Sequence, residues 1–202
     1  ERTDSGVDVG CDHAYLDIYL MQNKLCKSVI ASDISAGALS QAKINIEKYG
    51  LTKKIKAVIS NGVQDVDIND FNTIVISGMG TKSIIDILND KKVDKINKII
   101  IQSNNNLKEL KIYMNRKGFK IAKEIIIFEN NKYYSVLLYV RGKELLNLST
   151  LLVGKLNNNK NYYNYLLAKN NNIMSKLPKY KFLKTIELLI TNSILRKYIK
   201  KS

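Results

Sequence analysis

Two carboxylates bracket a glycine turn near the start of the chain. Asp8 lies two residues before Gly10 in Val7-Asp8-Val9-Gly10-Cys11-Asp12-His13-Ala14-Tyr15-Leu16, and Asp33 lies 23 residues after it in Val29-Ile30-Ala31-Ser32-Asp33-Ile34-Ser35. The first stretch reads as a short buried strand, a tight turn and a helix. The second reads as a strand ending in a carboxylate. In nucleotide-binding α/β units, an acidic residue about 20 positions past the glycine turn holds a ribose. A carboxylate with two acceptor oxygens suits a cis-diol. A dinucleotide turn carries three glycines, so that backbone amides can approach a pyrophosphate. Cys11-Asp12-His13 fills that space here. The pattern favours a nucleoside cofactor without phosphates, of which S-adenosylmethionine is the common one.

Further candidates fall at the ends of later strands, where ligands of open α/β sheets bind. Gly10 lets backbone come close to the cofactor, with Cys11 beside it. Asp8 is expected beneath the turn, orienting backbone amides or the methionine amine. Asp33 belongs to the ribose end, Ile34 next to it is a further cofactor-binding candidate, and Asn61-Gly62 suit an adenine edge. The fourth strand ends in Ile76-Ser77-Gly78-Met79-Gly80-Thr81. Enzymes that methylate exocyclic amines commonly carry Asn/Asp-Pro-Pro-aromatic at this place. A Gly-Met-Gly bend instead leaves room for a flat base beside the methyl donor. Ser77 and Gly78 are assigned to the cofactor, and Met79 and Gly80 to the acceptor. A plain glycine turn with Met79 filling the core is the structural alternative. Asp12, His13 and Tyr15 stand at the front lip. Asp12 is the candidate for stabilising positive charge on a methylated ring, and His13 and Tyr15 for positioning or stacking the base. Helix capping by Asp12 and a purely structural His13 are the competing readings.

These residues need a sheet to place them. Short β-branched runs bounded by Gly, Asn or Asp predict strands at 6–10, 28–33, 54–60, 73–77, 96–103, 119–128 and 132–140. Helical patterns fit 13–23, 36–49, 81–90 and 106–117, with Ser35 as a cap and Gly50 and Gly118 as stops. Asp65 to Asp70 is too short for a crossover helix, and Glu129-Asn130-Asn131 is a hairpin-type connection. The expected fold is α/β: a Rossmann-like class I methyltransferase sheet of seven strands, with an antiparallel last strand. Fold alone does not give function.

After Arg141-Gly142 the pattern becomes helical, which sets expected domains at 1–142 and 143–202. Leu145, Leu148, Leu152 and Leu156 form one stripe. Tyr162, Leu166, Ile173 and Leu177 form a second. Leu183, Ile186, Ile190, Ile194 and Tyr198 form a third, with Pro178 marking the break before it. Such offsets fit helices that pack on one another, so a coiled-coil-like pair with its stripes in the core is expected.

The 202-residue chain carries a formal charge of +15. Residues 143–202 hold 12 lysines and arginines against Glu144 and Glu187, a net of +10. This asymmetry points to a polyanion docking on the tail; a basic surface without a partner is the alternative. Lys179, Lys181, Lys184, Arg196, Lys197, Lys200 and Lys201 are the candidate phosphate contacts, and Tyr162, Tyr163 and Tyr165 candidate sugar contacts, with core packing the favoured reading for some of these tyrosines. No apolar run approaches the roughly 18 residues of a membrane span. Two cysteines and one histidine cannot build a structural zinc site. A cytoplasmic, metal-free monomer with reduced thiols is expected, and no secretory signal precedes the first strand.

Asp8-Val-Gly-Cys-Asp-His-Ala-Tyr-Leu16, Ala31-Ser-Asp-Ile34 and Ile76-Ser-Gly-Met-Gly80, followed by a basic helical tail, resemble the bacterial tRNA (adenine-22-N1)-methyltransferase family, the TrmK type. The resemblance runs over nearly the whole chain, and Asp-His-Ala-Tyr-Leu is its most specific element. It implies a Rossmann-like S-adenosylmethionine domain, a C-terminal coiled-coil domain, and methylation of N1 of adenine 22 in tRNA. The chain departs from the family pattern in three places: Asp17 replaces the usual Pro, Asn61-Gly62 replaces Asp-Gly, and Thr81 replaces the last glycine of Gly-Met-Gly-Gly. Thr81 is expected to cap a helix. Another base or a small molecule as acceptor, and a non-catalytic RNA-binding module with a relic pocket, are the rival functions; the basic tail opposes a small-molecule acceptor.

Overall fold

The β-branched runs pair into one seven-stranded sheet in a computed structural model that describes residues 5–155 and 159–201. The strands are β1 (Ser5–Val9), β2 (Ser28–Asp33), β3 (Ile55–Ile59), β4 (Thr73–Met79), β5 (Lys98–Ser103), β6 (Phe119–Glu129) and β7 (Lys132–Arg141). Their order is β3-β2-β1-β4-β5-β7-β6. β1 to β5 are parallel, and β7 runs antiparallel between β5 and β6. The order of strand addition reverses at β1, where the connection from β3 crosses over to β4. Ligands of open α/β sheets bind at such a switch point.

Alternation along each strand splits the core in two. Val7, Val9, Ile74, Ile76, Ile99 and Ile101 face α3 (Thr81–Leu88) and α4 (Leu107–Arg116). Val29 and Ala31 face α1 (Tyr15–Gln22) and α2 (Ala36–Lys48), whose Ile18, Met21, Leu39, Ala42 and Ile46 close the second layer. Ser35 caps α2 by accepting the Ala38 N–H at 3.2 Å. Gly50 and Gly118 follow their helices with φ of 67° and 82°, left-handed values that glycine adopts without strain. Asn130 and Asn131, both at positive φ, make a two-residue turn between Glu129 and Lys132.

Beyond the sheet lie a short α5 (Leu148–Leu152), α6 (Lys160–Lys176), a 3-10 turn at Lys179–Lys181 after Pro178, and α7 (Phe182–Lys201). α6 and α7 form a two-helix hairpin. Its base is buried where Tyr162, Tyr163 and Leu195 pack with Ile126 and Tyr133 of the sheet. Asn192 joins the two helices by side-chain hydrogen bonds, accepting from Asn170 Nδ2 and donating to Asn171 Oδ1, both at 2.9 Å. Among the described residues, no helix is long and apolar enough to cross a membrane.

Four expectations need correction. α1 starts at Tyr15 rather than at residue 13, because Asp12 and Ala14 are left-handed (φ 49° and 58°); its cap position is Ala14, so Asp12 does not cap it. Thr81 is not a cap either. Gly80 holds that position, and the fully buried Thr81 hydroxyl donates to the Asn105 carbonyl at 2.6 Å. The stripe through Leu145 is not one helix: Leu145 is fully exposed and α5 has five residues, while Leu156 lies outside the described residues. The third stripe is not all core. Leu183 is 79% exposed, and Ile186 and Ile190 are also open to solvent.

Candidate active site

The glycine turn is built by the end of β2. The N–H groups of Gly10 and Cys11 both donate to the Ser32 carbonyl, at 2.8 and 3.0 Å. The Asp33 carboxylate then ties both neighbours: Oδ2 accepts the Asp12 N–H at 3.0 Å, and Oδ1 accepts the Ser35 N–H at 2.9 Å. Each oxygen keeps a lone pair for an incoming hydroxyl. Gly10 has a φ of 79°, and a Cβ there would collide with the Met79 methyl group. The left-handed backbone angle favours glycine, and a larger residue would also have to push the flexible end of Met79 aside.

A cleft of about 760 Å³ opens over this turn. Val9 and Gly10 form its base, Asp33 and Ile34 one wall, Ser60 to Gln64 a second, and Ser77 to Met79 a third. The far side comes from α3 and the turn after it: Ser83, Asp86, Ile87 and Asp90. Gly62 can lie against Ile87 because it has no side chain; an added Cβ would meet Ile87 Cγ1 at 3.2 Å. The lining holds four carboxylates, Asp12, Asp33, Asp86 and Asp90, and no lysine, arginine or histidine. Such a field repels phosphate and favours a cationic ligand. An ammonium- and sulfonium-bearing nucleoside such as S-adenosylmethionine fits this donor set.

The sequence candidates divide in space. Gly10, Asp33, Ile34, Asn61, Gly62, Ser77, Gly78 and Met79 all line the cleft, as does Asp12. Asp12 lies 3.6 Å from the His13 imidazole, and His13 meets Tyr15 edge-on with ring centroids 5.9 Å apart. His13 and Tyr15 stand on the outer lip and do not line the cleft. Gly80 lies behind it, with Asn105 the nearest side chain to its missing Cβ. Met79 reaches both alternatives at once: it packs on the core and lies over Gly10. Lys179, Lys181, Lys184, Arg196 and Lys197 are exposed on the hairpin, Lys184 pairing with Glu187 at 2.6 Å.

Asp8 and Cys11 are buried behind the turn rather than in the cleft. The Cys11 thiol donates to the Asp12 carbonyl, and burial, with Asp17 and Asp8 close by, pushes its pKa far up. Asp8 faces the α1 side of the sheet, where it meets the fully buried Asp17 carboxyl. Burial holds both carboxyls above the usual range, and the Asp8 charge raises Asp17 further. Asp8 lines a second, mostly apolar cavity of about 520 Å³ on that face, which shares Ser77 and Gly78 with the cleft. Among the described residues, no cluster of three His, Cys, Asp or Glu could hold a metal ion.

Sequence reasoning missed the α3 wall and the side chains after β5. Asp86 on α3 and Asp90 in the turn just past its end sit four residues apart, a spacing that puts both on one face of the helix expected over 81–90. Gln102, Asn104 and Asn105 bond to the bend itself. In a chain so rich in asparagine, Asn104 and Asn105 did not stand out.

The family model for tRNA (adenine(22)-N(1))-methyltransferase, TrmK, matches residues 6–200. The Bacillus subtilis tRNA (adenine(22)-N(1))-methyltransferase is 31% identical over 138 residues, which cover 67% of this chain and 58% of that protein. The chain spans 58% to 66% of the length of the curated relatives it matches. Mycoplasma capricolum TrmK in complex with S-adenosyl-homocysteine superposes with a TM-score of 0.83 at 32% identity, covering 98% of this chain and 91% of that one. A Streptococcus pneumoniae protein in complex with S-adenosyl-L-methionine gives 0.86 at 27% identity, covering 98% and 94%.

Proposed function

Because this chain belongs to the tRNA (adenine(22)-N(1))-methyltransferase family, we propose that it methylates N1 of adenine 22 in tRNA, using S-adenosylmethionine. The observation that carries this reading is the acidic cleft without a basic residue, which meets a Gly-Met-Gly bend at the switch point of the sheet. Relatives solved with S-adenosyl-L-methionine and S-adenosyl-homocysteine support the choice of cofactor.

S-adenosylmethionine, when bound, supplies an electrophilic methyl group on a positively charged sulfur. Asp33 receives the ribose hydroxyls on the lone pairs left over from its two backbone bonds. Ile34, beside Asp33 in the cleft wall, would contact the bound nucleoside, and Asn61 and Gly62 would meet its adenine edge. Gly10 admits the ligand close to the turn, and Ser77 and Gly78 close the side nearest the acceptor. Asp8 and Cys11 act from behind the turn, as buried supports of its shape.

Adenine N1 carries an in-plane lone pair and no proton, so no general base is required. The protein's task is alignment, which can lower a barrier by roughly 7–11 kcal/mol. Methylation leaves positive charge on the ring, and a carboxylate aimed at it stabilises that charge. Asp12, at the cleft's edge beside His13, has this role. His13 and Tyr15 position the base on the outer lip, while Met79 and Gly80 shape the bend beneath it. Turning the base out of folded RNA costs a few kcal/mol. Phosphate contacts from the hairpin, through Lys179, Lys181, Lys184, Arg196 and Lys197, offset that cost. Residues 1–142 form the catalytic domain and 143–202 the RNA-binding one, working as a metal-free monomer in the cytoplasm.

Digestion of treated, unmodified tRNA to nucleosides tests the reading. 1-Methyladenosine is the expected product. N6-methyladenosine would move the chemistry to the exocyclic amine, and no methylated nucleoside, despite cofactor binding, would leave an RNA-binding module.

A further inference from the structure

The bend after β4 is held in an unusual way. Register between β4 and β5 shifts between Ile76 and Met79, so the backbone ladder opens there. Gly78, inside the gap, has a φ of 76°, and a Cβ on it would meet nothing within 4 Å. It is glycine for its backbone angle, not for space. With the ladder open, the Gly78 N–H and C=O lack strand partners. Two side-chain amides from the end of β5 take them instead. Gln102 Oε1 accepts the Gly78 N–H at 2.8 Å, and Asn104 Nδ2 donates to the Gly78 carbonyl at 2.8 Å. Gln102 Nε2 also donates to Asn104 Oδ1 at 3.1 Å, so the two amides lock each other.

Burial does not demand this arrangement. Gly78 is exposed, and water could satisfy both groups at little cost. Ordering two polar side chains costs conformational entropy. What the amides provide is a single orientation of one peptide plane. The rest of the bend is anchored separately: the Asn104 N–H donates to the Met79 carbonyl at 2.9 Å, and the Thr81 N–H to Asn105 Oδ1 at 2.9 Å. The clamp therefore acts on the Gly78 peptide alone, at the wall shared by the cleft and the second cavity.

We infer that the Gln102–Asn104 amide pair is a positioning device for methyl transfer, fixing the Gly78 peptide so that the bend presents one rigid rim to the acceptor base. This rests on the function proposed above. Neither side chain lines the cofactor cleft, so their loss acts on alignment, not on cofactor binding. Misplacement by about 1 Å can cost about a hundredfold in rate.

Single-turnover methylation of unmodified tRNA by the full chain tests this, with cofactor affinity by calorimetry and Tm measured in parallel. Asn104→Ala and Gln102→Leu each remove clamp bonds. Asn104→Asp keeps the shape and the acceptor for Gln102 but puts an oxygen against the Gly78 carbonyl. The expected result is a rate lowered about 10- to 100-fold, most in Asn104→Asp. Cofactor Kd should change far less than the rate, because neither amide itself lines the cleft and only the orientation of the Gly78 peptide on its wall is altered. Wild-type rates in all three variants, or cofactor affinity and Tm falling in step with rate, would overturn the inference. If one variant fails to fold, the other two decide. A wild-type chain that binds cofactor yet methylates nothing would instead sink the functional reading on which the inference stands.

Discussion

Asp33 holds two backbone N–H groups and still has acceptor capacity, so one carboxylate shapes the turn and stays open to an incoming hydroxyl. Asp33→Ala removes a charged acceptor worth about 1.5–3 kcal/mol. Calorimetry should show S-adenosylmethionine binding weakened by about 10- to 100-fold; unchanged affinity would mean the cofactor lies elsewhere. Asp8 and Asp17 make a second prediction at this scale. Burial raises both carboxyls, and Asp8 raises Asp17 further. The folded protein thus keeps protons that the unfolded chain releases above about pH 4. Where the native state binds more protons than the unfolded one, stability falls as pH rises. The cofactor-free protein should lose stability between about pH 5 and pH 8. Asp17→Asn should flatten that fall, raising Tm more at the alkaline end. A Tm profile with the same slope before and after the substitution contradicts the pairing.

At the scale of elements, a buried ion pair ties α4 to β6 and to the segment around α5. Lys111 on α4 meets both oxygens of Glu124 on β6 at 3.3 Å, and the two side chains are 2% and 1% exposed. Ser135 donates to the same carboxylate at 2.7 Å, and the Lys155 N–H beyond α5 does so at 2.8 Å. Lys111→Met leaves Glu124 charged and buried, a change that costs about 3–5 kcal/mol. Urea unfolding should show that loss, with a smaller one when Glu124→Gln is added; equal losses would argue against a paired charge. The strands were legible in sequence because β-branched runs end at turn residues, and so were the Ser35 cap and the Asn130-Asn131 turn. The start of α1 was not, because Asp12 and Ala14 take left-handed angles that non-glycine residues rarely signal. Thr81 looked like a cap because its hydroxyl partner, Asn105, comes from another strand end. Gln102 and Asn104 were illegible for the same reason: their role exists only once β4 and β5 lie side by side. In the cleft, the glycine turn, Asp33 and Asn61-Gly62 could be read from spacing, whereas the α3 wall needed the fold.

For the molecule as a whole, charge is separated from chemistry. The cleft is lined by carboxylates, while residues 143–202 carry a net of +10. The elbow of the hairpin exposes Tyr180 and Leu183 beside Lys179, Lys181 and Lys184. Replacing these three lysines with glutamate should weaken tRNA binding and reduce the slope of log K against log salt by about two to three, at roughly 0.7–0.9 per phosphate contact. Cofactor affinity should not move, and an unchanged salt slope would remove the elbow from the RNA path. The central claim is that an acidic nucleoside cleft and a glycine bend together methylate one ring nitrogen in a folded RNA. The most direct measurement is methyl transfer to an unmodified tRNA transcript, with the modified position mapped, beside a transcript in which adenine 22 is replaced by guanine. The account predicts 1-methyladenosine at position 22 and no transfer to the replaced transcript. Equal methylation of both transcripts, or modification at another position, contradicts it.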